Sequence, residues 1–156
     1  MSLSRSYRRF FKMVNIDEFN LPEELYYLEE GRSWAKVESD GKVRVGLSDI
    51  AVKLAAEIIY IRLKPKGANV EQGKGFGTME SAKWVGPLKS PVSGTIVETN
   101  DVLTKNPSII VKDPYGEGWA VIIQPKNPEN ELDSLLHTPE QLTAWATREK
   151  ANLQKK

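Results

Sequence analysis

Glycine and proline divide the middle of this chain into short runs, and this punctuation constrains the fold more than any other feature of the sequence. The runs are rich in β-branched side chains, as in Gly94-Thr95-Ile96-Val97-Glu98-Thr99. Such side chains favour strands, and glycine and proline mark the turns between them. A series of short strands with turn signals at this spacing predicts a small β-sandwich or barrel.

Alternation of apolar and polar residues places most of the predicted strands. The first two flank Asp40-Gly41, a dipeptide that favours a tight hairpin turn. The predicted strands are 34–38, 42–46, 58–63, 69–71, 75–80, 94–99 and 118–125.

Two helices are predicted from capping residues and apolar spacing. Ser48 and Asp49 can cap a short helix over 50–57, which is rich in alanine. Thr138 followed by Pro139 predicts the start of a C-terminal helix over 139–153. The face of that helix at spacings of three and four consists of Leu142, Trp145, Ala146, Glu149 and Leu153.

Composition excludes several kinds of chemistry. The chain has 156 residues, no cysteine and a single histidine, His137. Cysteine-ligated zinc, iron–sulfur clusters and thiol nucleophiles are therefore excluded, and little remains for a histidine metal site or a catalytic triad. A chain of this length can bury roughly 70% of its unfolded surface in one core without disulfides or metal. A net charge of +1 argues against nucleic-acid binding.

The N-terminus is basic and is expected to differ from the rest of the chain. Residues 1–13 contain four cationic side chains and no acid, which predicts a flexible segment before one domain over 14–156. An export signal requires an apolar stretch after such a run, whereas Asp17, Glu23 and Glu24 occupy that window. We therefore expect a cytoplasmic protein that does not associate with membranes.

Lys83 is the most informative candidate for function. It lies between the predicted strands 75–80 and 94–99, so it is expected to project from an exposed hairpin turn, with Pro87 and Pro91 stiffening the return strand. A solvated lysine amine is a poor Schiff-base nucleophile but a good site for enzymatic acylation. From the residues alone, Lys83 is interpreted as a solvated turn lysine, and no physical feature singles it out among the 22 lysines and arginines.

The chain resembles the H-protein family of the glycine cleavage system, whose members are lipoyl carriers. The similarity runs from about Leu21 to the C-terminal helix, and the order and spacing of its fragments make it specific. The fragments are Val45-Gly46-Leu47-Ser48-Asp49-Ile50-Ala51, Gly75-Phe76-Gly77, Glu80-Ser81-Ala82-Lys83, Ser90-Pro91-Val92-Ser93-Gly94, Val97-Glu98-Thr99-Asn100, Asn106-Pro107 and Asp113-Pro114-Tyr115-Gly116-Glu117-Gly118-Trp119.

This resemblance implies the fold, the cofactor and the site. The expected fold is mainly β, a flattened β-sandwich of the barrel-sandwich hybrid type, as in lipoyl domains, with short peripheral helices and a C-terminal helix. Lipoate is expected in amide linkage to Lys83. Glu80 and Ser81 are expected to help the modifying ligase recognise the hairpin, although a merely solvated hairpin face is a comparable interpretation. Ala82 and Trp84 flank the lysine where biotin carriers have methionines, so lipoyl is preferred to biotinyl.

The same resemblance implies a carrier rather than an enzyme. The expected partners are a lipoate ligase or lipoyl transferase and the enzymes that use the arm, without a bound metal. His137 is interpreted as a loop or cap residue, since no nucleophile accompanies it. Trp34, Trp119 and Trp145 are interpreted as packing residues.

Two positions depart from the family pattern. Glycine-cleaving members have Ser-His-Glu before the tryptophan that matches Trp34, and an Asp four residues after the modified lysine. This chain has Ser33 and Pro87 at the two acidic positions, and Arg32 in addition. A cationic amine on the arm would lose its carboxylate partners. The departures favour a carrier for heterodisulfide-reductase-like sulfur oxidation over transfer of the aminomethyl group of glycine among the P, T and L proteins. A lipoate reservoir for other proteins is a further alternative.

Overall fold

A computed structural model of the chain describes residues 12–16 and 18–154. Its strands are β1 (Met13–Ile16), β2 (Phe19–Pro22), β3 (Tyr26–Leu28), β4 (Ser33–Val37), β5 (Val43–Leu47), β6 (Ile58–Leu63), β7 (Asn69–Val70), β8 (Gly75–Ser81), β9 (Val85–Lys89), β10 (Gly94–Thr99) and β11 (Val121–Pro125). Its helices are α1 (Asp49–Ala55), α2 (Val102–Lys105), α3 (Ser108–Lys112), α4 (Pro128–Asp133) and α5 (Pro139–Gln154). The predicted mainly β fold with short helices and a C-terminal helix is confirmed.

Two antiparallel sheets form the body of the protein. The larger has the strand order β3-β4-β5-β11-β10-β7, and the smaller has the order β6-β8-β9. Inward side chains of both sheets, such as Val45 and Ile123 from one and Ile61 and Met79 from the other, share one buried apolar cluster. Strands alternate their side chains between the two faces of a sheet, so the apolar positions of each strand meet in this layer.

The predicted first hairpin and first helix are both present. Gly41 has a left-handed φ of 88° in the turn between β4 and β5, a conformation that glycine adopts at little cost. The hydroxyl of Ser48 accepts a hydrogen bond from the amide of Ala51 and so caps α1, at 3.2 Å. The helix ends at Ala55 rather than at Glu57, because Ala56 turns into a left-handed conformation with φ 64°.

The C-terminal helix covers a second apolar cluster on the other side of the larger sheet. Its buried residues Leu142, Trp145 and Ala146 pack with Trp34 and Tyr27. The hydroxyl of Thr138 accepts a hydrogen bond from the amide of Gln141, at 3.2 Å. The predicted helix and its buried face are therefore confirmed, and so is the packing role of Trp34 and Trp145.

Some strand bounds differ from the sequence-based expectation. β11 begins at Val121 rather than at Gly118, because the amides of Gly118 and Trp119 bond within the preceding turn, to Asp113 and Gly116. The return strand after Lys83 is Val85–Lys89, the edge strand of the smaller sheet. Edge positions tolerate proline, which has no amide hydrogen to donate.

The predicted flexible N-terminal segment falls mostly on residues 1–11, which lie outside the described residues. Met13 is the first residue of β1, and β1 pairs with β2. The carbonyl of Lys12 accepts a hydrogen bond from the amide of Glu23, at 3.2 Å.

Candidate functional site

Lys83 lies in the exposed turn that joins β8 to β9. The last paired residues of this hairpin are Glu80 and Val85, so Ala82, Lys83 and Trp84 stand at its tip, and all three are exposed. The sequence predicted this exposed hairpin turn. The return strand is β9, which contains Pro87 but ends before Pro91, and the predicted strand 94–99 belongs to the larger sheet. An acyl group on the Lys83 amine would extend from the end of the smaller sheet.

The hydroxyl of Ser81 organises the turn from below. It accepts hydrogen bonds from the amides of Lys83 and Trp84 and donates one to the Trp84 carbonyl, each at 3.2 Å. Ser81 is buried, so its side chain does not belong to a solvated hairpin face. The amide of Ala82 donates to the Glu57 carbonyl, at 2.8 Å. The backbone that presents Lys83 is therefore held by both the hairpin and the segment that connects α1 to β6.

The outward face beside the turn carries Glu80 and several apolar side chains. Glu80 lies between Tyr60 of β6 and Val85 of β9 in the strand register. Its side chain is exposed, as expected for a group that a modifying enzyme could contact. The indole of Trp84 lies over Gly86, where an added Cβ would stand 2.8 Å from Cζ3 of the ring. Glycine at position 86 thus allows the indole to lie against the strand.

A narrow groove of about 20 Å³ runs next to the turn. Trp84 and Pro87 line it together with Arg32, aliphatic side chains and Met79. The lining residues are Gly31, Arg32, Leu47, Ala51, Leu54, Met79, Trp84, Pro87 and Leu88. Arg32 is the charged residue of this set, and none of the nine is acidic.

Arg32 is held by a buried carboxylate. Its Nε donates to Oε2 of Glu149 at 2.6 Å, and its Nη2 donates to Oε1 at 3.3 Å. Oε2 also accepts from the indole Nε1 of Trp145 and Oε1 from Asn152. Burial raises the pKa of the Glu149 carboxyl, but the hydrogen bonds from Arg32, Asn152 and Trp145 outweigh burial and hold that pKa below its ordinary value of 4.5. The pair joins the loop before β4 to α5.

The two positions that depart from the family pattern lie in different surroundings. Pro87 lines the groove. Ser33 is buried, and its hydroxyl donates to the carbonyl of Lys89 at 2.8 Å. Position 33 thus ties β4 to the base of the attachment hairpin, and of the two positions it is Pro87 that borders the groove.

The remaining candidate residues lie apart from the turn. His137 stacks on Tyr26 with ring centroids 4.1 Å apart, and its Nδ1 lies 3.0 Å from the Leu25 carbonyl oxygen. It occupies the loop before α5, in agreement with the interpretation from sequence. Arg44 stands over the Trp119 ring at 5.2 Å, so Trp119 packs on the larger sheet.

The described residues offer neither a metal site nor a membrane-spanning helix. Among residues 12–16 and 18–154, no three histidine or acidic side chains converge in a way that could hold a metal ion. Within the same residues, no helix combines the length and apolar character needed to cross a bilayer.

The ion pair of Arg32 with Glu149 was not predicted from the sequence. These residues are 117 positions apart, so no local pattern links them. Glu149 does stand on the apolar face of α5, and a buried acid on such a face indicates a cationic partner. That signal exists in the sequence, but it does not identify the partner.

Comparisons with known proteins agree with this fold. The family model described as Glycine cleavage H-protein matches residues 25–149. The chain is 44% identical over 126 residues to the probable glycine cleavage system H protein 2 of Sulfurisphaera tokodaii, which covers 80% of this chain and 84% of that protein. It is 42% identical over 135 residues to the glycine cleavage system H protein 2 of Aquifex aeolicus, with coverage of 85% and 84%.

A solved structure is similar to this fold. The crystal structure of a glycine cleavage system H protein from Mycobacterium marinum superposes with a TM-score of 0.70 at 32% identity, covering 80% of this chain and 98% of that one. The expected barrel-sandwich architecture is thereby confirmed.

Proposed function

The chain belongs to the glycine cleavage H-protein family, and we propose that it carries lipoic acid in amide linkage to the Nζ of Lys83. The observation that carries this proposal is the turn itself. Lys83 is exposed at the tip of a hairpin whose backbone is anchored by the Ser81 hydroxyl and the Glu57 carbonyl. A modifying enzyme can reach the amine there, and the anchored backbone presents it in one orientation.

The surrounding residues fit a lipoyl group. When bound, lipoic acid supplies a dithiolane whose two sulfurs can be reduced and can carry a group between enzymes. The chain contains no cysteine, so none of its own thiols can exchange with those sulfurs. The exposed turn leaves room for a long arm, and a tethered arm raises the effective concentration of its end at nearby active sites.

Intact mass measurement tests the attachment site. Protein incubated with a lipoate ligase, ATP and lipoate should gain the mass of one lipoyl group. Lys83→Arg should gain none, whereas Lys74→Arg, which alters another exposed turn lysine, should be modified like the wild type. Modification of Lys83→Arg, or no gain in the wild type with any ligase or transferase, would refute the proposal.

We infer further that the protein acts as a transient substrate of other enzymes rather than as a catalyst. A lipoate ligase or lipoyl transferase would load the arm, and a multienzyme system would then use it. A cytoplasmic location is part of this proposal.

For the pathway, we propose a heterodisulfide-reductase-like system of sulfur oxidation. The supporting observation is that Pro87 borders the groove and that the nine lining residues include no carboxylate to pair with a cationic amine. The lipoylated protein, supplied with P, T and L proteins, should support glycine decarboxylation and exchange poorly. Pro87→Asp should raise that activity. Full activity of the unaltered protein would refute the sulfur pathway.

Standard glycine cleavage is the second candidate, because the relatives carry that name and the fold is shared. A lipoate reservoir is a third. Transfer of the lipoyl group from Lys83 to other carrier proteins, measured by the mass of both proteins, would identify the reservoir.

A further inference from the structure

The groove beside the attachment turn has one charged side chain among its lining residues, and we propose that this residue, Arg32, makes the groove select anionic over cationic cargo. The inference rests on the proposed function, because cargo would reach the groove on the arm at Lys83. Trp84, which follows that lysine directly, is itself a wall of the groove. A group carried on the arm can therefore reach Arg32.

Arg32 is oriented so that it keeps hydrogen-bond donors for a ligand. Glu149 binds Nε and Nη2, which are two donors on the same side of the guanidinium. Among the described residues, Nη1 has no hydrogen-bond partner, and the side chain is 33% exposed. The planar fork of a guanidinium is well suited to oxoanions, which accept two parallel hydrogen bonds.

Glu149 does not give the groove a negative charge of its own. It is absent from the lining residues, and its carboxylate receives four hydrogen bonds, two from Arg32 and one each from Trp145 and Asn152. The nearer charge for any group in the groove is therefore the guanidinium.

The other lining residues carry no charge. Trp84, Pro87, Leu54 and Met79 offer a cation no carboxylate, and the attraction of the Trp84 ring face for a cation is the opposing effect that the guanidinium must exceed. The groove volume of about 20 Å³ is room for roughly one water molecule, so a larger end group stays outside it. An anionic end group, such as the sulfonate or sulfinate of an oxidised sulfur compound, would thus meet Arg32 at the mouth of the groove.

A cysteine probe can measure this selectivity without cofactor or partner enzyme. The chain has no cysteine, so Pro87→Cys introduces a single thiol at the groove wall and leaves Lys83 unchanged. Its rates of reaction with an anionic reagent, sulfonatoethyl methanethiosulfonate, and a cationic one, trimethylammonioethyl methanethiosulfonate, are compared. Each reaction forms a mixed disulfide and releases methanesulfinate. Both reagents react with the same thiol, so changes in thiol reactivity cancel in the ratio of the two rates. The ratio therefore reports the electrostatic potential at the thiol.

Three variants in the Pro87→Cys background are expected to lower the anion-to-cation rate ratio, to raise it and to leave it unchanged. Arg32→Gln should lower the anion-to-cation ratio by about fivefold at low salt, the size expected when one unit charge roughly 8 Å away in a solvated site acts with opposite sign on the two reagents. Glu149→Gln, which keeps the guanidinium and removes its counter-charge, should raise the ratio. Arg44→Gln is the matched control: Arg44 is also half-buried and paired with an acid, Glu38, at 2.7 Å, and the ratio should not change.

Several outcomes would overturn the proposal. An unchanged ratio in a folded Arg32→Gln variant would do so, and so would a fall of the same size in Arg32→Lys, which keeps the charge. If Arg32→Gln does not fold, the ratio must still rise in Glu149→Gln. In Pro87→Cys without a second substitution, the anion-to-cation rate ratio must exceed that of N-acetylcysteine amide, a free thiol in solution. The two ratios must converge as salt is added. Equal ratios at low salt would refute the proposal without any second substitution.

The measurement is independent of the attachment test. A flat ratio together with full lipoylation of Lys83 would refute charge selection alone. An absence of lipoylation together with the expected ratios would refute the carrier function and leave the electrostatic property of the groove in place.

Discussion

Replacing Ser81 by alanine tests whether an ordered turn is what makes Lys83 a substrate. The Ser81 hydroxyl takes part in three hydrogen bonds of 3.2 Å, two with the amides of Lys83 and Trp84 and one with the Trp84 carbonyl. Each is at the long end of the normal range, so each contributes about 0.5 kcal/mol. Lys83 and Trp84 are exposed, so water can replace the lost partners. The free energy of unfolding should fall by about 1–2 kcal/mol.

The effect on acylation should be larger than this stability loss alone would produce, because the folded population stays near 100%. Without the hydroxyl, the ligase must order the turn when it binds. Ordering a residue costs roughly 1–2 kcal/mol. We therefore expect kcat/KM for lipoylation of Ser81→Ala to fall by about tenfold, equivalent to about 1.4 kcal/mol.

Urea unfolding followed by circular dichroism gives the stability, and the initial rate of lipoyl incorporation by mass spectrometry gives kcat/KM. Ser39→Ala is the control, since Ser39 stands exposed in the turn between β4 and β5. An unchanged kcat/KM despite the expected loss of stability would show that ligase recognition does not depend on the ordered turn. Equal results for both variants would refute the role assigned to the Ser81 hydroxyl.

Three further substitutions test other contacts. Gly46→Ala would place a Cβ 2.6 Å from Cζ2 of buried Trp34, so urea titration should show a loss of about 1–3 kcal/mol, and a loss below about 0.5 kcal/mol would contradict the packing. Gly86→Ala should leave the protein folded but push the Trp84 indole from its strand, which increases iodide quenching of tryptophan fluorescence; unchanged quenching would mean that the indole stays. The pKa of Glu149 is lower in the folded protein than its ordinary 4.5, so its contribution to stability is present above that value and disappears as pH falls through the folded pKa. Urea titrations between about pH 3 and 7 should show a shallower acid loss for Glu149→Gln, and parallel curves would refute the pairing with Arg32.

Local features of the sequence predicted much of the secondary structure. β6 spans Ile58–Leu63 and β10 spans Gly94–Thr99, the bounds that β-branched runs between turn residues indicated. The C-terminal helix spans Pro139–Gln154, in agreement with its cap and apolar spacing. These features depend on neighbours within one turn or one hairpin, so they can be inferred from the chain alone.

The arrangement of the candidate site could be predicted only in part. The exposed turn at Lys83 followed from strand propensity, and the resemblance to H proteins singled out that lysine among the other solvated lysines. The burial of Ser81 and of Ser33 was not predicted, because each hydroxyl is buried by strands that approach from elsewhere in the chain. A small polar side chain has no sequence signal that separates a solvated turn from a buried hydrogen bond.

The sequence by itself determined a mainly β fold without cysteine chemistry and an exposed turn at Lys83, within a pattern of residues that resembles lipoyl carriers. The tertiary structure alone decided which groups surround that lysine. In the folded protein Arg32 pairs with Glu149, which is 117 residues away, and lines a groove together with Trp84 and Pro87. Ser33 is buried and donates a hydrogen bond to the Lys89 carbonyl. The physical reason is range: turn and strand preferences act between near neighbours, whereas the charge and shape of the groove depend on side chains that only packing of both sheets and α5 brings together.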